Sequence, residues 1–220
     1  IKVLNLLPPA SEDVRQTELT DPVPWFSELN QALFLLPFAV LPYAIRTLYY
    51  NYVSHKLPGR CAMWGCLFVY TMAFGVYWIH FLRHLSKKYG YFHGVRGRDT
   101  IPFSEVNKIA KEILGAVLLR SALVVYSSYD PHAAPSLSIW TPLQLFFFTV
   151  VDDFYYYWLH RVCHETESAW KLHRLHHTTK APTLLLLGYA DDVQECFELF
   201  LVPLATWVTF PIPFDAFVIW

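Results

Sequence analysis

Five of the ten histidines in this chain fall within eighteen residues, as His160 and His164 in an HxxxH and His173, His176 and His177 in an HxxHH. On a helix, positions i, i+3 and i+4 share one face, so each box would present its imidazoles together. Neutral imidazole is a good ligand for iron, zinc and copper. Two such boxes, both directly following a strongly apolar segment, point to a bound metal; a His-rich helix lying on a membrane surface is the plainer alternative. Asp153 precedes His160 by seven residues and His164 by eleven. At about 100° per residue the three lie within about 20° of one line along a helix. An ionisable residue inside an apolar helix is costly and marks a functional site by default. A ligating histidine commonly donates its second ring N–H to a carboxylate, and Asp153 is the candidate for that role. Asp152 and the tyrosines at 155, 156 and 157 fit a helix contact or interfacial packing.

The elements that must position these residues are apolar. Of 220 residues, 55% are hydrophobic and 16% charged, with a mean hydropathy of +0.29, where soluble domains carry about 25% charged residues. The apolar residues come in blocks long enough to span a bilayer: about 29–53, 61–82, 109–127 (with Arg120 inside it) and 141–162. A polar lead-in, 1–28, precedes them. A further apolar run from about 197 is broken by Pro203, Pro211 and Pro213, as a re-entrant hairpin or one more span. The expected fold is therefore all-α: a polytopic membrane bundle of about four transmembrane helices, with domain limits at 1–28 and 29–220. The segment 83–108 is rich in Lys and Arg and the segment 128–140 has none. Because cytoplasmic loops are enriched in Lys and Arg, 83–108 and the His-rich region 163–196 are expected on the cytoplasmic side.

Other chemistries find little support. A net charge of −1 gives no hint of nucleic acid. There is no CxxC, no Gly-rich phosphate loop and no GxSxG. Cys61, Cys66, Cys163 and Cys196 form no metal or disulfide framework. His80 and His84 make a third HxxxH beside Arg83, read as interfacial, and His55, His93 and His132 stand alone. Lys171, Arg174 and Lys180 suit headgroup contacts or the docking of an acidic electron donor.

The run DDFYYYWLHRVCH followed by WKLHRLHH resembles the fatty acid hydroxylase / sterol desaturase superfamily, specifically over about 149–195. The resemblance implies a membrane oxygenase of the endoplasmic reticulum with two non-haem iron ions. Its implied metal ligands are His160, His164, His173, His176 and His177. It also implies O2 as co-substrate, electrons from NAD(P)H through cytochrome b5 or its reductase, and a lipid substrate drawn from the bilayer. In the family a short Ala-His-Pro-x-Glu signature follows the second box. Here Ala190-Asp191-Asp192-Val193-Gln194 stands in its place, with Asp191 at the histidine position. The family's late histidine box is expected after Trp220, and five histidines alone would leave two irons incompletely ligated. The substrate expected is a sterol or a fatty-acyl or sphingoid-type lipid, for hydroxylation or desaturation. Two other classes stay open: a zinc-dependent membrane hydrolase using Glu165 or Glu167 as base, and a metal-binding protein without catalysis.

Overall fold

The computed structural model describes residues 26–90, 101–179, 186 and 188–220, and among these it contains helices and turns and no strand. Nearly all of the polar lead-in, the middle of the 83–108 segment with His93, and Lys180 lie outside the described residues. Four long helices dominate: α1 Glu28–Tyr52, α2 Arg60–Tyr89, α3 Phe103–Ser128 and α4 Thr141–Glu165. They coincide with the four apolar blocks, and α2 and α3 run further into the polar segment between them. After α4 come the short α5 Glu167–His173, a 3-10 turn His176–Thr178, α6 Asp192–Cys196, a π turn Phe197–Leu201, α7 Val202–Thr209 and α8 Phe214–Ile219. The final apolar run is thus one helical rod, 192–209, followed by a break at Pro211 and Pro213 and a short helix.

Two helices, α1 and α2, are long and apolar enough to cross a membrane. Leu29, Leu33, Leu36, Leu41, Ile45 and Leu48 of α1 are all exposed, a run of apolar surface that water would not tolerate and lipid would. Pro37 and Pro42 lie inside α1. Proline has no N–H to give the carbonyl four residues back, so Pro42 releases the carbonyl of Phe38. Tyr70 of α2 donates its hydroxyl to that oxygen, which is how a neighbouring helix makes an interior proline tolerable in an apolar setting.

The two ends of the bundle differ. At one end the α1–α2 and α3–α4 connections interlock: the Leu57 N–H donates to the Pro131 carbonyl (3.2 Å) and the Tyr129 hydroxyl to the Pro58 carbonyl (2.7 Å). The same end holds a buried ion pair between Arg46 of α1 and Asp215 of α8. Arg46 also donates to the Ala133 carbonyl (3.0 Å), and the Asp215 carboxylate accepts from the Ser136 N–H (2.8 Å). At the other end the start of α3 meets the segment after the second histidine box. There Lys108 donates to the Ala190 carbonyl (3.2 Å) and pairs with Asp192 (2.7 Å). A Cβ on Gly188 would stand 3.0 Å from Ile109 and 3.2 Å from Glu195, so the lack of a side chain there allows the close approach. Between α1, α2, α3 and α8 lies a mostly apolar cavity of about 370 Å³ with Arg120 in its wall, the guanidinium 4.3 Å above the Trp220 ring.

Candidate metal centre

His160 and His164 sit one turn apart near the C-terminal end of α4. Thr166 closes α4 and opens α5 in extended geometry, which turns the chain and carries His173 back toward α4. The second box does not lie on one helix. His173 is the last residue of α5, whereas His176 and His177 belong to the 3-10 turn. Thr178 and Thr179 bond their hydroxyls to the carbonyls of Leu175 (2.7 Å) and His176 (2.8 Å), and this local competition with the backbone favours a tight turn over a continued α-helix.

The result is convergence. His160, His164, His173 and His177 each offer a ring nitrogen, and these four atoms lie within 4.8 Å of one another. The Nε2 atoms of His160 and His164 are 3.2 Å apart, those of His164 and His173 3.1 Å, and those of His173 and His177 3.1 Å. One imidazole nitrogen carries either a proton or a lone pair. It cannot satisfy two neighbours of the same kind, so hydrogen bonding alone does not account for this packing. Imidazole nitrogens ligate a metal such as zinc at about 2.0–2.1 Å, which sets neighbouring donors about 2.9 Å apart around an octahedral ion and about 3.4 Å apart around a tetrahedral one. The three adjacent spacings fall between these, so neighbouring donors in the set are spaced as ligands of a transition metal ion.

His176 stands outside that set of four, its ring centroid 4.3 Å from those of both His173 and His177 and 6.4 Å from that of His160. His173 is fully buried. Burial first, and then the neighbouring imidazoles, hold His173 at about 4 and His176 at about 4; His177 is lowered for the same reasons. His173, His176 and His177 are therefore neutral at physiological pH, the state in which imidazole donates a lone pair. Trp170 walls one side, its ring centroid 5.4 Å from that of His164 and 5.3 Å from that of His177. Sequence reasoning passed over Trp170, although its position three residues before His173 on α5 was a usable signal.

The remaining candidates fall elsewhere. Asp153 is exposed on α4, and seven residues of helix, about 10 Å, separate it from His160. Its neighbour Asp152 accepts from the Thr206 hydroxyl of α7 at 3.0 Å. Asp191 caps α6, its carboxylate accepting from the Val193 N–H at 3.1 Å. Arg161, within the first box, points away to Glu165 (2.8 Å) and Tyr157 (2.7 Å). His80 and His84 are exposed on α2 and lie outside the histidine cluster.

A helical bundle with clustered histidines at the end of an apolar helix suits metal binding at a membrane, and comparison with known proteins narrows the class. Residues 145–220 match the fatty acid hydroxylase family model. The chain is also 30% identical over 218 residues to a fatty acid hydroxylase, vlmA, of Lecanicillium sp, an alignment that covers 90% of this chain and 59% of that relative. Both findings support the fatty acid hydroxylase / sterol desaturase superfamily for this chain. It spans little more than half the length of that relative. No solved structure matches it.

Proposed function

We propose that this chain is the membrane-embedded part of an O2-dependent lipid hydroxylase or desaturase. The observation that carries the reading is the convergence of four imidazole nitrogens from two separate boxes within the segment that matches the hydroxylase family. His160, His164, His173 and His177 would hold one iron ion, and His176, set to one side of the four, would ligate a second. Bound iron supplies the reductive activation of O2 needed to attack an unactivated C–H bond, which no side chain can perform.

The chain's own residues have three tasks. His173, His176 and His177 stay unprotonated through burial and the neighbouring imidazoles. Trp170 restricts access of water to His164 and His177. Asp153 adds a negative charge on α4, about 10 Å along the axis from His160. The apolar faces of α1 and α2 and the mostly apolar cavity of about 370 Å³ suit a hydrocarbon substrate, a sterol or a fatty-acyl or sphingoid-type lipid. In this reading α3 and α4 also cross the bilayer, which makes four spans. The basic 83–108 segment and the histidine centre then face the cytoplasm from the endoplasmic reticulum membrane, where NAD(P)H-derived electrons arrive through cytochrome b5 or its reductase.

The test is product formation by the full-length protein from a lipid panel, with and without O2. The proposal expects O2-dependent oxygenated or desaturated product that His160→Ala abolishes. Product that persists without O2, or survives His160→Ala, contradicts it.

A further inference from the structure

The metal-centre reading leaves the buried Nδ1 atoms of His160 and His173 without a hydrogen-bond partner, and the His160 one has a candidate acceptor nearby. The Nε2 of His160 faces its partner histidine, yet its Nδ1 is buried without a hydrogen-bond partner. A buried N–H of this kind calls for an acceptor. In ligating histidines that acceptor is commonly a carboxylate, which also fixes the tautomer. Asp153, the acceptor expected from the sequence, is exposed and two turns away.

The rod formed by α6, the π turn and α7 packs antiparallel on α4 along α7, while its α6 and π-turn portion lies against α3. Its register is set by the bond from Thr206 to Asp152 (3.0 Å) and by the Phe147–Phe210 ring contact (6.3 Å). Eight residues on from Asp152 is His160, and eight back from Thr206 is Glu198, so Glu198 stands level with His160. Independently, the charge of Glu198 bears on both Tyr156 and Cys163. Those two residues flank His160 at i−4 and i+3 on one face of α4. Glu198 lies in the π turn, a distortion that recurs at functional sites because it re-aims side chains within a helix. One carboxylate oxygen is already held, since Gln194 donates its Nε2 to Oε1 at 2.8 Å, and Gln194 itself is 4% exposed.

We propose that Glu198 is a positioning residue of the metal centre: when metal binds, its carboxylate, oriented by Gln194, takes the Nδ1–H of His160, which has no partner in the structure, and so keeps the Nε2 lone pair directed at the metal. The inference rests on the metal-centre reading and adds to it a residue outside both histidine boxes. A carboxylate here also balances part of the charge of a divalent ion held by neutral imidazoles.

The test uses Co(II) as the probe on the full-length protein in detergent. Affinity is measured by chelator competition, and the d–d absorption spectrum is recorded for wild type, Glu198→Ala, Glu198→Gln and Gln194→Ala. The expected result is a 10–100-fold weaker affinity for Glu198→Ala. Glu198→Gln, which keeps an acceptor oxygen, recovers part of that loss with a shifted spectrum, and Gln194→Ala falls in between. Metal-free thermal unfolding of Glu198→Gln close to wild type separates positioning from folding. Wild-type affinity and spectrum in Glu198→Ala and Glu198→Gln overturn the role of Glu198 while leaving the metal centre intact. No Co(II) bound by the wild type overturns the metal centre itself, and this proposal with it.

Discussion

His173 concentrates the physics of the site: it is fully buried, it touches two other imidazole nitrogens at 3.1 Å, and its pKa is about 4 against an ordinary 6.5. The sign of the consequence follows from proton linkage. Between pH 6.5 and 4 the unfolded chain takes up protons that the folded cluster refuses, so stability is fully present above 6.5 and falls as pH drops through that window. The metal-free protein is therefore expected to melt at progressively lower temperature from pH 7 to pH 4.5, and His173→Gln to show a shallower decline. Equal slopes in the two proteins would contradict this. The grouping of the histidines was legible in the sequence because HxxxH and HxxHH encode proximity locally. The separation of His176 from the other four was not, because it depends on where α5 stops. Neither was Glu198, because its relation to His160 runs across two packed helices 38 residues apart in the chain.

At the scale of elements, hydrophobic block length located the four long helices to within a few residues in α1 and α4. The ends of α2 and α3 were under-read, because polar residues such as Lys87, Lys88 and Glu105 extend a helix without extending its apolar stripe. The proline-rich last run was left open between hairpin and span. The structure resolves it as a rod containing a π turn that ends two residues before Pro203, so the proline's missing N–H falls where the backbone already departs from regular α-helical bonding. The opposite end of the bundle depends on a contact that no local pattern announces, Arg46 with Asp215. Both are buried, at 7% and 4% exposure. Removing one partner of a buried pair leaves an uncompensated charge and costs about 3–5 kcal/mol. Asp215→Ala is expected to lose stability on that order in detergent denaturation, while the double variant Arg46→Met/Asp215→Ala recovers part of it. A single variant as stable as wild type would show that the pair does not tie α1 to α8.

For the whole molecule, the account places the two ends of the bundle on opposite sides of a membrane. Cysteines introduced into a Cys-free full-length background at Ser136 and at Glu167 are therefore expected to react with impermeant thiol reagents from opposite faces of sealed microsomes, Glu167 from the cytoplasmic one. Labelling of both from one side would contradict the four-span arrangement. The segment that the family model matches, 145–220, runs from α4 through the histidine boxes to α8 and so reaches both ends of the bundle.

The most direct measurement is the metal content of the full-length protein purified in detergent, wild type beside His173→Ala/His176→Ala. The account predicts about two irons per chain in the wild type, consistent with imidazole-rich ligation of iron, and their loss in the double variant. No metal in either protein, or zinc alone after anaerobic Fe(II) loading, would contradict it.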